Sequence, residues 1–234
     1  MEIKQFRYSS DNLGYLIYGK ESAVVIDGGA VEDILSFIKS RHLKIKYVVN
    51  THSHPDHTVG NQAILDGSDA EYIHRKKLIN HKVLKIEGKE IHIYHTPGHT
   101  DDSISFYLGN MLITGDTLFN GKVGRCFSGD LLGFLKSIKM LIAFPGDTII
   151  YAGHDYVKEY LEVAKDIEPD NSDIDKFLEK YDPGHVYSTL SEELKMNPTL
   201  RFNDKKMISI LQKRGLPVKT EFDRWQSLFT IVFS

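Results

Sequence analysis

The sequence predicts an α/β fold that ends in a small helical extension. Three observations predict it. Up to about residue 157, β-branched strand signals alternate with helical spacing. Polar residues able to do chemistry follow four of those strands directly. After Pro169-Asp170-Asn171 the strand signal almost vanishes and helical spacing takes over.

The elements follow in chain order. Residues 12–18 and 22–27 read as two strands joined by a turn at Gly19-Lys20-Glu21, the second ending at the turn signal Asp27-Gly28-Gly29. Val31, Ile34, Leu35 and Ile38 recur at helical spacing, and 45–49 is a short buried-type strand. Strand signals return at 90–94, 103–108 and 111–114; 130–141 is helical and 148–152 is a strand. In the tail, 173–180 is helical. Thr189 with Glu192 three residues on forms a capping box for a helix that stops near Asn197-Pro198. Asn203 is the expected cap of a helix running to Arg214, closed by Gly215. A last helix from Glu221 to about Phe233 puts Phe222, Trp225, Leu228 and Phe229 on one face, a stripe that reads as core between tail and sandwich.

Composition excludes several classes. The 234 residues suffice for one large domain, or one domain and an appendage, with 41% hydrophobic and 26% charged residues, an ordinary globular balance. A net charge of −3 provides no basic field to draw in nucleic acid. Cys126 is the single cysteine, so no intrachain disulfide forms. Residues 1–7 lack the apolar stretch of a secretory signal, and no apolar run approaches the roughly 20 residues that span a bilayer. The expected location is the cytoplasm, without membrane attachment.

The chemistry is concentrated in Thr51-His52-Ser53-His54-Pro55-Asp56-His57. Imidazole nitrogen and carboxylate oxygen are ligands for borderline divalent metals such as zinc, and also for iron and manganese. So many crowded polar groups cost folding free energy unless a cation or solvent satisfies them. In an extended loop His52 and His54 point to one side. Asp56 and His57, one turn later, face a second point, so one loop is able to serve two metals. His95-Thr96-Pro97-Gly98-His99-Thr100, Thr114-Gly115-Asp116-Thr117 and Gly153-His154-Asp155 follow later strands. Asp27, at the end of its strand, is a candidate hydrogen-bond partner for a metal-binding histidine. His95 is a candidate to orient the Pro97-Gly98 turn. His42, His74, His81, His92 and His185 read as solvent or loop residues.

This set resembles the metallo-β-lactamase superfamily, whose ligand pattern is His-x-His-x-Asp-His, then His, Asp and His. All seven positions are present as His52, His54, Asp56, His57, His99, Asp116 and His154. The resemblance implies a four-layer αββα sandwich and two divalent metal ions, zinc being the best fit. His52, His54 and His99 would hold one ion and Asp56, His57 and His154 the other, with Asp116 bridging. The catalytic carboxylates are then Asp56 and Asp116. A hydroxide between the ions would be the nucleophile, its parent water lowered in pKa from about 16 toward about 7.

The flanking segments narrow the resemblance to glyoxalase II, the hydroxyacylglutathione hydrolase: Gly124-Arg125, Gly153-His154-Asp155-Tyr156, Ile167-Glu168-Pro169-Asp170-Asn171 and 192–201. This implies a catalytic domain at 1–168, a helical substrate-binding domain at 169–234, and cleavage of a small-molecule thioester, S-lactoylglutathione, to lactate and glutathione. By the same resemblance Arg125 and Tyr156 contact substrate, and Lys205, Lys206 and Arg214 are candidates for a carboxylate of the thiol. Phe127, Asp155 and Thr199 stand where Tyr, Glu and Phe are commoner in that family, which leaves a different thiol carrier or a generic ester open. The run His95 to Asp101 also resembles persulfide dioxygenases, which use a single iron. A nuclease of the superfamily would need a clamping insertion and a basic groove, and this chain shows neither.

Overall fold

The computed structural model describes residues 1–233. Eleven strands are named in them: β1 (Glu2–Tyr8), β2 (Asn12–Tyr18), β3 (Ser22–Ile26), β4 (Lys44–Val49), β5 (Glu71–Tyr72), β6 (Val83–Ile86), β7 (Lys89–His95), β8 (Ile104–Leu108), β9 (Met111–Gly115), β10 (Ile149–Ala152) and β11 (Ser188–Thr189). The helices are α1 (Val31–Ser40), α2 (Pro55–Thr58), α3 (Asn61–Asp66), α4 (Arg75–His81), α5 (Leu131–Leu141), α6 (Val157–Ile167), α7 (Ser172–Lys180), α8 (Leu190–Met196), α9 (Lys205–Lys213) and α10 (Glu221–Val232).

The strands form two mixed sheets, ordered β1-β2-β3-β4-β5 and β11-β10-β9-β8-β7-β6. Alternation along each strand sends one set of side chains between the sheets and the other outward. Tyr15, Ile17, Val24 and Ile26 meet Ile93, Phe106, Ile113 and Tyr151 in the central layer. Leu16, Val25 and Val48 face outward onto Ile34 and Ile38 of α1 and Ile64 of α3. On the far side Leu112 and Ile150 face Phe134 and Ile138 of α5 and Trp225 and Leu228 of α10. The layers are therefore α, β, β, α, as the resemblance implies. The expected Trp225 stripe is indeed core: the Trp225 ring lies 5.8 Å from Phe134 and 5.9 Å from Phe202.

Two parallel pairings place the site. Ile26 pairs with Val49, so the segments leaving β3 and β4 run side by side and Asp27 arrives next to Thr51. Ala152 pairs with Gly115, which sets Asp116 beside Gly153 and His154. Parallel neighbours end at the same edge, so ligands from distant parts of the chain meet there without a long loop.

The structure departs from the sequence reading in several elements. β1, β5, β6, α3, α4 and α6 add to the elements expected from sequence. In β1 the burial of Ile3, Phe6 and Tyr8 breaks the period of two, which hides the strand. α6 carries Val157, Tyr160, Leu161, Ala164 and Ile167 at helical spacing and was legible. The tail contributes one short strand, β11, which pairs antiparallel with β10. The cap of α9 is Asp204, whose carboxylate accepts from the amides of Lys206 and Met207. Asn203 instead bonds Glu221 and Arg224. Among the described residues no helix is long and apolar enough to cross a membrane.

The tail is tied to the end of α6 by charge. Glu168, only 3% exposed, accepts from Arg201, from Asn171 at 2.7 Å and from Lys206 at 2.8 Å. Burial opposes the Glu168 charge, yet Arg201 and Lys206 hold its carboxyl below the ordinary 4.5. The folded state thus favours the ionised form, and the associated stability is present above pH 4.5 and lost as pH falls below it. Glu168→Gln should cost about 3 kcal/mol at neutral pH by leaving Arg201 with only its longer pair to Asp204, at 3.3 Å. Urea melts should show that deficit shrinking as pH falls below 4.5.

Candidate metal centre

The site is assembled from four loops at strand ends. β4 feeds Thr51 to His54, and Pro55 at the first position of α2 starts a single turn carrying Asp56 and His57. The loop after β7 brings His99, the one after β9 Asp116, and the one after β10 His154. Two glycines permit the close approach. A Cβ on Gly98 (φ +149°) would lie 2.2 Å from the Phe134 ring, and a Cβ on Gly153 would lie 2.1 Å from Asp116 Oδ1.

The ring nitrogens have a consistent arrangement. Thr51 gives its hydroxyl proton to Asp27 Oδ2 at 2.6 Å, so its oxygen accepts from His52 Nδ1 at 3.1 Å. His57 Nδ1 donates to Asp27 Oδ2 at 2.9 Å, His99 Nδ1 to the Arg125 carbonyl at 3.0 Å, and His154 Nδ1 to Asp11 Oδ1 at 2.9 Å. Each of these four rings has its outer nitrogen on an acceptor, which turns the inner Nε2 toward the centre as the atom that would ligate a cation. Those nitrogens converge. His52 Nε2 is 2.9 Å and His99 Nε2 3.0 Å from His54 Nδ1, while His57 Nε2 and His154 Nε2 are 3.1 Å apart.

The Asp116 carboxylate sits between the two groups. Its Oδ1 is 3.4 Å from His57 Nε2, and its Oδ2 is 3.4 Å from both His99 Nε2 and His154 Nε2. Oδ1 is buried with no hydrogen-bond partner. Converging imidazole nitrogens around an unsatisfied buried carboxylate are what a cation would complete, so the donor set fits metal ions. The ligand atoms form two groups, His52, His54, His99 and Asp116, then Asp56, His57 and His154, each with its atoms within 4.8 Å of one another. All seven residues singled out in the sequence are thus brought together.

The electrostatics differ between the two groups. Burial drives the His52 imidazole down to about 2, and burial with the neighbouring rings also lowers His99, so both remain neutral donors. Burial opposes a charge on Asp116, but His57 and His154 hold its carboxyl well below the usual range. Burial likewise opposes a charge on His57, but Asp27 and Asp116 lift that ring well above the usual imidazole value.

A cavity of about 410 Å³ opens onto this centre, lined by Asp56, His54, His99, Asp116 and His154 on one side. Arg125, Tyr156, Phe127, Phe119, Tyr160, Lys122 and Phe233 complete its walls. Arg125 and Tyr156, both singled out in the sequence, thus line this cavity. Tyr156 stacks on His154 with centroids 4.9 Å apart and planes within 6°. Phe127 is 62% exposed at the mouth, edge-on to His54 and His99.

The other residues singled out in the sequence do not line the cavity. Lys206 is engaged with Glu168 and Asp170, and Arg214 donates to the Asp166 carbonyl. Neither they nor Lys205 line the cavity. Asp155 faces away from it, paired with Arg7 and accepting from the Tyr181 hydroxyl at 2.6 Å. Thr199 acts locally, its hydroxyl accepting from the Val123 amide at 3.2 Å and so anchoring the loop that carries Lys122. His95 donates to the Asp101 carbonyl at 2.8 Å and so braces the His99 loop.

Sequence reasoning missed Asp11, Asn12 and Lys122. Asn12 donates to Asp56 Oδ2 at 2.9 Å. Asn12 reads only as the start of a strand, and nothing local points Asp11 toward residue 154.

The comparisons with known proteins agree with this geometry. The family model of the metallo-beta-lactamase superfamily matches residues 12–83 and 76–154. A hydroxyacylglutathione hydrolase of Idiomarina loihiensis is 31% identical, covering 86% of this chain and 85% of the relative. One of Brucella ovis is 32% identical over 95% of each chain. Among solved structures, ETHE1 from Myxococcus xanthus superposes with a TM-score of 0.67 at 25% identity, over 97% of this chain and 100% of that one. The BLEG-1 B3 metallo-beta-lactamase gives 0.66 at 23% identity, over 85% and 99%.

Asp27 provides the sharpest test of the cage. Asp27→Asn keeps a residue tolerant of the backbone φ of +53° but removes the carboxylate behind His57 and Thr51. Metal affinity, measured by competition with a chromophoric chelator, should fall about 10- to 100-fold.

Proposed function

The chain belongs to the metallo-beta-lactamase superfamily, and on that premise we propose a dinuclear metal-dependent thioester hydrolase that takes S-lactoylglutathione to lactate and glutathione. The observation that carries this reading is two adjacent ligand groups at the floor of an open cavity, the Asp116 carboxylate of the first lying 3.4 Å from His57 Nε2 and His154 Nε2 of the second. Moderate identity to hydroxyacylglutathione hydrolases over most of the chain supports the choice of substrate.

His52, His54, His99 and Asp116 would hold one ion, and Asp56, His57 and His154, with Asp116 shared, the other. Bound there, two divalent ions, zinc foremost, would acidify a water and polarise the thioester carbonyl. The protein's own groups do the rest. Asp56, 45% exposed on its side chain, faces the cavity as acceptor for the proton of the attacking water. Water adds to the acyl carbon, the carbon–sulfur bond breaks, and the sulfur leaves as thiolate. A thiol has a pKa near about 8.5, so departure demands no strong acid. This suits a wall whose tyrosines are weak acids. Burial and the nearby Asp11, Asp116 and Asp56 carboxylates push the Tyr156 hydroxyl far above its usual value, so it stays a hydrogen-bond donor to substrate. Arg125, exposed at the rim, binds the thiol half. Residues 169–234 act as the substrate-binding part through Phe233.

A second reading, a mononuclear iron persulfide dioxygenase, is favoured by the run His95 to Asp101 and by the likeness to ETHE1. The two separate cleanly in one set of assays. Metal-loaded protein should consume S-lactoylglutathione, followed by thioester absorbance, with Asp116→Asn reducing kcat by about 10³-fold or more. No loss above the metal-free control, together with oxygen uptake on a persulfide by protein carrying one iron, would replace the hydrolase with the dioxygenase.

A further inference from the structure

Lys122 is a cation with an unusual address. It is only 6% exposed, yet it lines the cavity that opens onto the metal centre. Its backbone is fixed by a tight turn in which the Phe119 amide donates to the Lys122 carbonyl at 2.8 Å. The tail pins the same turn, through the Glu193 carboxylate on the Gly121 amide and Thr199 on the Val123 amide. The ammonium lies 4.2 Å from the Tyr160 ring centroid and 4.1 Å from that of Phe233. It gives one hydrogen bond, to the Val232 carbonyl at 3.0 Å. An ammonium has three donors, so the others lie against rings and cavity.

No carboxylate among the described residues forms an ion pair with Lys122, and none does so with Arg125, whose guanidinium lies 5.6 Å from the centroid of the same Phe233 ring. Two cations beside one ring repel each other, and a buried charge without a counterion is costly. The geometry points to an anion in the substrate. We propose that Lys122 determines specificity by binding a carboxylate on the thiol half of the thioester. The proposal rests on the thioesterase reading only for where the anion is carried: the hydroxyacyl half is uncharged, so the charge belongs to the thiol.

The groups facing Lys122 are Tyr160 and Glu159 of α6, Arg125 of its own loop and the backbone end of α10. Burial is the main influence and brings its ammonium down to about 8, with Arg125 acting in the same direction and Glu159 against it. The charge is therefore held at neutral pH and given up just above it.

The test is calorimetric titration of the metal-loaded full chain with S-methylglutathione and with its diethyl ester. Neither probe contains a thioester, so the result is independent of turnover. The acid should bind at least about tenfold more tightly than the ester. Lys122→Met should abolish that preference and Lys122→Arg should keep it. The preference should fade as pH rises through about 8 in the natural chain and persist in Lys122→Arg. Equal binding of acid and ester, or no binding of either, would overturn the proposal without any variant. So would a Lys122→Met protein that loses thermal stability but still prefers the acid, since Lys122 would then merely pin the tail. Thioester hydrolysis with no acid preference would sink this inference alone, while acid preference without hydrolysis would sink the thioesterase reading alone.

Discussion

The structure depends on one constraint: imidazole nitrogens held facing each other at about 3 Å beside a buried carboxylate. The acceptors behind the rings impose it. Asp27, Thr51, Asp11 and the Arg125 carbonyl each take the outer nitrogen, and Asp27 alone serves both His57 and the threonine that serves His52. Such a cage is destabilising without positive charge at its centre, and the buried Asp116 carboxylate has an oxygen free to complete it. The fold is arranged to make this tolerable. Two parallel strand pairs end at the same edge, and glycine at 153 lets the backbone approach Asp116 closely.

The helical tail is more than a cover for the outer face of the second sheet. Glu168 holds Arg201, Glu193 and Thr199 hold the turn at 121–123, and α10 ends with Phe233 on the cavity wall. Glu193 shows how much is invested there. It is fully buried, and burial raises its carboxyl to about 7, while Ser188, Asn197 and the Gly121 amide all donate to it. Tail and sandwich therefore set the position of Lys122 and Arg125 jointly, so changes far from the metals at Thr199 or Glu193 act on the substrate wall.

The candidate metal site was legible because most of its donor residues are local in sequence. His52, His54, Asp56 and His57 stand within six positions, and each remaining ligand follows a recognisable strand. Asp27 was legible for the same reason, as a polar residue ending a β-branched run. Lys122 was not, because an Asn-Gly-Lys turn reads as a solvated loop and only tertiary packing against Tyr160 and Phe233 buries it. Asp11 was hidden because its partner His154 is 143 residues away. The α9 cap was misplaced by one residue, since Asn203 and Asp204 are both good caps and local sequence does not choose between them. The basic residues of the tail were misassigned because sequence shows charge but not its partner, and Glu168 had already claimed Lys206.

The account stands on a shared carboxylate between two cations. Crystals grown with excess zinc, measured at the zinc absorption edge, give the direct answer. The account predicts two anomalous peaks about 3.5–4 Å apart. One should lie among His52, His54 and His99, the other among Asp56, His57 and His154, with Asp116 touching both. A single peak at full occupancy, or peaks only on surface histidines, would contradict it.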